Sequence, residues 1–188
     1  MAGSTPADEH RAHAPAASAL RVGIVTASDS RTPSTNEGGR LIRTLCDEAG
    51  LSVVGEALLR EDPDVLRDHV AQLARGGGVD AILVTGGTGL GPRDRTPEAV
   101  GALFDCRLDG FGELFRLLSF QEIGAAAMLS RADAGVVGDA LVFLMPGSPA
   151  AVVLAMRRLI LPELAHAVGQ IRRPAGAHAH GHGHGHPG

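Results

Sequence analysis

Three observations predict an open α/β fold, a mostly parallel sheet with helices on both faces. Short apolar runs alternate with longer stretches whose apolar residues recur at helical spacing, as repeated strand–helix units require. Glycine, proline and aspartate fill the segments between them, the residues that end one element and open the next. A late pair of apolar runs is separated only by Gly138-Asp139, which predicts a hairpin and an antiparallel edge.

The elements follow in order. Residues 22–26 form a short apolar run, the first strand, and a polar loop over 28–36 leads to a helix over 37–49. That helix carries Leu41, Ile42, Leu45 and Ala49 on one face, with Asn36 as a cap and Gly50 as a stop. Ser52–Leu59 reads as the second strand. Asp62-Pro63 opens the next helix, with Val65, Leu66, Val70 and Leu73 at helical spacing and three glycines, Gly76 to Gly78, closing it. Ala81–Thr85 is apolar enough to be a strand buried on both faces. Thr96 as cap and Pro97 at the first helical position predict a further helix. A helical stretch through Phe111, Leu114, Phe115, Leu118 and Ile123 follows, then the hairpin, then a helix over 149–168 that Pro162 should bend or split.

Residues 1–19 lack hydrophobic periodicity, and 173–188 contain only Arg173 and then Pro, Ala, Gly and His. Both are expected to be disordered extensions of one domain over 20–172. In the second, His178, His180, His182, His184 and His186 alternate with small residues, a pattern that can capture a transition metal but cannot fix a geometry. His69 and His166 are the domain's own histidines, expected on helix surfaces.

Composition excludes whole mechanisms. All seventeen cations are arginines, so Schiff-base lysines, lysine bases and the phosphate-gripping lysine of a P-loop are impossible. There is no tyrosine or tryptophan and only five phenylalanines, which removes a stacking surface for single-stranded nucleic acid. A net charge of -4 argues against DNA binding through phosphate neutralisation. Two cysteines make neither a disulfide framework nor a zinc site, no apolar run approaches a membrane span, and the first residues lack a signal-peptide layout. A soluble cytoplasmic protein, with no membrane partner, is expected.

The chemistry is expected in the loops beyond the carboxyl ends of the strands. After the third strand come Gly86, Gly87, Thr88 and Gly89, then Arg93-Asp94-Arg95. Glycines let backbone N–H groups approach and cradle an anion without side-chain charge. The pattern is neither a dinucleotide fingerprint nor a Walker A loop. Asp62, before Pro63, reads as a helix cap, or as a carboxylate that joins Asp94 in holding Mg²⁺. The first-strand loop contributes Asp29 and Arg31, a later loop Ser130-Arg131, and Gly147-Ser148 opens a helix whose free N–H groups suit a phosphate.

These motifs, with Thr96-Pro97-Glu98, Gly110-Phe111-Gly112-Glu113 and Pro146-Gly147-Ser148, occur in the order seen in the MoaB/MogA family of molybdenum cofactor biosynthesis proteins. The chain resembles that family from about Arg21 to Ile171, and the stretch from Leu103 to Gly124 is most similar to its MoaB branch. The resemblance implies a three-layer α/β/α sandwich that assembles as a homo-oligomer, trimer or hexamer. It implies Mg²⁺-dependent adenylylation of molybdopterin by ATP, with release of pyrophosphate. By the same resemblance Asp62 and Asp94 are the catalytic, Mg²⁺-holding pair, and Gly86 to Gly89 line the nucleotide phosphates. Asp29, Ser130, Arg131, Gly147 and Ser148 would line the molybdopterin cleft. Because the MoaB branch includes members without this activity, a non-catalytic binder of molybdopterin or nucleotide, acting as carrier or scaffold, is the alternative. Arg31 sits in a variant of the family's first-strand loop, and its role stays open.

Overall fold

The computed structural model describes residues 15–172. Six strands form one sheet: β1 (Arg21–Ala27), β2 (Ser52–Leu59), β3 (Ala81–Thr85), β4 (Cys106–Arg107), β5 (Asp133–Val137) and β6 (Ala140–Met145). Their order is β2-β1-β3-β6-β5-β4. The β2-β1-β3-β6 portion is parallel, and β6-β5-β4 continues it antiparallel. The expected hairpin is present: Gly138, at φ 58°, makes the turn between β5 and β6.

Alternation along the strands builds two cores. Ile24 and Leu83 face one side with α1 (Glu37–Glu48), α4 (Asp109–Ile123), α5 (Pro149–Ala155) and α6 (Leu161–Ile171). Val25, Ile82 and Val84 face the other with α2 (Pro63–Arg75) and α3 (Thr96–Gly101). Helices therefore cover both faces, a three-layer arrangement, and β3 is buried along its whole length.

Several local expectations hold and one is corrected. Asn36 accepts from the Gly39 N–H at 3.1 Å and caps α1, and Gly50 turns away at φ 73°. Pro162 does split its helix: a π-helical turn, Met156–Ile160, separates α5 from α6, which relaxes the backbone where proline supplies no N–H. Thr96 is not the cap of α3. Arg95 occupies that position without a side-chain bond, and Thr96 is already the first helical residue. The reason is tertiary, because the Thr96 N–H donates to the Gly87 carbonyl at 3.0 Å and its hydroxyl is packed under that glycine. The two-residue strand β4 was too short to leave a period in the sequence.

Of the two expected extensions, residues 1–14 and 173–188, with the alternating histidines, lie outside the described residues. Ala17–Ala19 forms a 3-10 turn against the start of β1. Among the described residues no helix is long and apolar enough to cross a membrane.

Candidate active site

The loops after β1, β3 and β6 meet at the carboxyl edge of the sheet around a cavity of about 360 Å³. Sequential strands β2 and β3 lie on opposite sides of β1, so the strand order reverses there. Such a reversal is where an open α/β sheet leaves a crevice for ligands.

The floor of the cavity is the glycine loop. Gly86 and Gly87 have φ values of 100° and 62°. A Cβ on Gly86 would collide with the Ala27 carbonyl oxygen, and one on Gly87 with the Thr96 hydroxyl, so only glycine fits at either position. The Gly86 N–H is tied to the Met145 carbonyl at 3.1 Å. The N–H groups of Gly87, Thr88 and Gly89 have no acceptor among the described residues, and all three residues line the cavity. Of the four residues expected to cradle phosphates, three keep a free donor.

Asp94 lines the same cavity, half-buried, with Oδ2 accepting from the Gly91 N–H at 3.0 Å to close the turn. Across from it stands Glu61, also half-buried and also lining the cavity. Burial, and then the negative charge of Asp94, push the Glu61 carboxyl above its ordinary range. Arg31 enters from the first-strand loop and donates to the Gly147 carbonyl at 3.0 Å, which settles its position as the cavity's one arginine. Ser130, Gly147 and Ser148 also line the cavity. Ser148 accepts from the Ala151 N–H at 3.3 Å and caps α5. Phe115 and Ile123 of α4, with Leu129 beyond it, form an apolar wall that also carries the Ser119 hydroxyl.

Three of the expected site residues stand elsewhere. Asp62 is exposed, and its Oδ1 accepts from the N–H groups of Asp64 at 3.0 Å and Val65 at 3.2 Å, capping α2. It lines a neighbouring groove together with Asp29. Asp29 ties three loops together: it pairs with Arg93, lies 3.6 Å from Arg60, and accepts from the Glu61 N–H at 3.3 Å. Arg131 lines a separate groove with Glu113 and Arg116. Its guanidinium clamps the glycine loop, donating to the Thr88 carbonyl at 3.3 Å and to the Asp94 carbonyl, and pairing with Glu98 at 2.5 Å. Burial opposes ionisation of Glu98, but a backbone hydrogen bond and Arg131 outweigh it and hold that carboxyl below its usual range.

Sequence reasoning passed over Glu61 and the wall from α4. A signal existed for both: Glu61 adjoins the motif aspartate, and Phe115, Ser119 and Ile123 recur every four residues.

Among the described residues, no three His, Cys, Asp or Glu side chains converge on a metal site. Mg²⁺ does not require three. It takes one or two protein carboxylates and completes its shell with water and phosphate oxygens. Glu61 and Asp94 beside a donor-rich phosphate cradle are a donor set of that kind.

Known proteins match this arrangement. Residues 23–166 match the family described as "Probable molybdopterin binding domain". Molybdenum cofactor biosynthesis protein B of Bacillus subtilis is 44% identical over 166 residues, covering 88% of this chain and 96% of that protein. A crystal structure of a molybdenum cofactor biosynthesis protein B superposes with a TM-score of 0.79 at 45% identity, over 82% of this chain and 97% of the other. The tungsten cofactor synthesizing protein MoaB from Pyrococcus furiosus superposes at 0.73 with 31% identity, over 82% and 98% of the two chains. On sequence and fold together, this chain belongs to the MoaB/MogA family of molybdenum cofactor biosynthesis proteins.

Proposed function

We propose that the chain is an Mg²⁺- and ATP-dependent molybdopterin adenylyltransferase. The observation that carries this reading is the coincidence, in one cavity, of three unpaired loop N–H groups, two carboxylates and an arginine. In the reaction, an oxygen of the molybdopterin phosphate attacks the α-phosphorus of ATP. The bond from that phosphorus to the bridging oxygen of the β-phosphate breaks, and pyrophosphate leaves with the electron pair. Transfers of this kind depend on positioning and charge neutralisation rather than on a covalent protein intermediate.

Each group has a part in that. The N–H groups of Gly87, Thr88 and Gly89 bind phosphate oxygens with fixed dipoles that need no reorganisation as charge moves to the leaving group. Arg31, held by the Gly147 carbonyl, adds a guanidinium on the opposite loop. Arg131 and Glu98 keep the cradle in shape from outside the cavity. The wall of Phe115, Ile123 and Leu129 offers an apolar surface for the pterin and limits water. Mg²⁺, when bound, neutralises the phosphates that two carboxylates would otherwise repel.

Assembly belongs to the same proposal. Leu114, Leu117, Phe120, Ile123, Met128 and Leu129 are all at least half exposed on α4 and the turn after it. Exposed apolar side chains in this number suit a homo-oligomer, trimer or hexamer, and light scattering that shows a monomer would count against it.

The test is formation of adenylylated molybdopterin from α-labelled ATP by the purified protein, beside Asp94→Asn. The expected result is turnover in the wild type and at least a hundredfold loss in the variant, about 2.7 kcal/mol of barrier. One observation favours a second reading, a non-catalytic molybdopterin or nucleotide binder: Asp62, of the implied catalytic pair, is outside the cavity. Tight molybdopterin binding without turnover would decide for that reading.

A further inference from the structure

We infer that Thr96 is a positioning residue of the glycine loop, whose unpaired hydroxyl turns its dipole toward an anion held above it by Gly87. This rests on the proposed reading of that loop as an anion cradle, and it adds a group that acts through Gly87 without touching the ligand.

Thr96 is 1% exposed, and its hydroxyl is the one fully buried side-chain polar atom among the described residues that has no hydrogen-bond partner. Packing at this end of the sheet does not force that state. Thr85 is equally buried and donates to the Pro146 carbonyl at 3.1 Å, and Thr26 accepts from Asn36 Nδ2 at 3.1 Å. An unpaired buried hydroxyl costs stability, because its bonds to water are lost and not replaced. Valine has nearly the same shape and would avoid that cost.

The placement of the hydroxyl gives it a use. Thr96 grips Gly87 twice: its N–H donates to the Gly87 carbonyl at 3.0 Å, and its Oγ1 occupies the space that a Gly87 Cβ would need. No side chain therefore separates the hydroxyl from the backbone of Gly87, a residue that lines the cavity with a free N–H. A hydroxyl committed to a carbonyl, as in Thr85, has a fixed dipole. That of Thr96 is free to rotate about its C–O bond, and such dipoles orient in the local field. With a phosphate on the Gly87 N–H, the hydroxyl proton turns toward the charge, and burial keeps water from screening it. The loop itself stays in place, since Met145 holds the Gly86 N–H and Arg131 holds the Thr88 carbonyl.

Inorganic pyrophosphate in magnesium buffer is the probe, with binding followed by calorimetry and unfolding by thermal melting. Thr96→Val keeps the shape and removes the hydroxyl, whereas Thr96→Ser keeps the hydroxyl and removes the methyl. Thr96→Val should melt about 3 °C above wild type, because an unpaired polar group leaves the interior. It should bind pyrophosphate roughly fivefold more weakly, because the dipole beneath Gly87 is gone. Thr96→Ser should bind within about twofold of wild type. A purely structural prop would not raise stability and lower affinity together. Equal affinity of Thr96→Val and wild type would overturn the inference, as would a Thr96→Val that melts lower, or a Thr96→Ser as weak as Thr96→Val. A wild type that binds no pyrophosphate at millimolar concentration would sink the cradle and the inference with it. Because the readout needs neither molybdopterin nor turnover, the expected pattern in a protein that forms no adenylylated product would sink the proposed activity and leave Thr96 in its role.

Discussion

The two ends of the sheet carry comparable cavities with opposite chemistry. At the amino end, Arg21, Arg75, Asp80, Asp139 and Arg172 surround a space of about 610 Å³, larger than the 360 Å³ cavity at the carboxyl end. Its buried group, Asp80, is fully engaged. It accepts from the Arg21 N–H at 2.7 Å, pairs with Arg172, and has the Arg21 guanidinium 3.7 Å away. These bonds tie the end of α6 to the first and third strands, and they occupy the buried carboxylate of that space. At the carboxyl end the loop N–H groups of Gly87, Thr88 and Gly89 lack acceptors among the described residues, and two carboxylates line the same space. Volume therefore does not distinguish a site from a structural joint in this molecule. Unsatisfied polar groups do.

Gly86→Ala should break the carboxyl end and have the largest effect. The residue sits at φ 100°, and its new Cβ would overlap the Ala27 carbonyl, a backbone atom that cannot swing away. Left-handed strain and forced overpacking together cost about 4 kcal/mol, or a fall of about 12 °C in the melting midpoint. ATP binding, measured by calorimetry, should disappear with it. Unchanged melting and binding would mean that the loop is not the rigid cradle described above.

Asp80→Ala probes the other end and should separate stability from binding. Removing an acceptor of charge-assisted hydrogen bonds costs about 2 kcal/mol, less than a closed ion pair would, because both arginines can turn to solvent. Melting should fall by about 6 °C while ATP affinity stays within twofold. A large loss of affinity would show that the two ends are coupled through β3, which runs from Asp80 to the glycine loop.

The same contrast explains what could be read without coordinates. The strand runs, the glycine loop and the hairpin turn are local patterns, since burial alternates along each strand and glycine marks the tight turns, so they are legible in one dimension. Asp94 was legible because it belongs to a contiguous motif with the glycines. Partner choice was not. Arg131 clamps Thr88 and Glu98 across more than thirty positions of sequence, and no local pattern tells a clamp from a phosphate ligand. Likewise the difference between Glu61 and Asp62 is one step along a turn. That step decides which side chain enters the cavity and which caps the helix, and it depends on how β2 delivers the chain to α2. Asp80, packed before an apolar strand, shows no motif at all, because its partners come from both ends of the chain.

The smallest effect concerns the clamp on the glycine loop, and pH makes it testable. Glu98 and Arg131 form a partly exposed pair, for which about 0.5 kcal/mol is expected, so Glu98→Gln should destabilise the protein only slightly at neutral pH. The Glu98 carboxyl is held below its ordinary range in the folded protein. Its contribution is thus fully present above the unfolded-state pKa and is lost as pH falls through the lower folded value. The stability difference between wild type and Glu98→Gln should accordingly close on acidification, because protonated glutamate and glutamine are both neutral. Urea unfolding of the pair at neutral and at acid pH measures this directly. A difference that persisted in acid would assign the effect to packing of the Glu98 stem against Arg131, and the clamp would then be steric rather than electrostatic. Either way Arg131, spanning the Thr88 and Asp94 carbonyls, joins the two parts of the loop that carry the free N–H groups and Asp94. The carboxyl end can leave its cavity-facing groups unpaired because the groups behind them are paired.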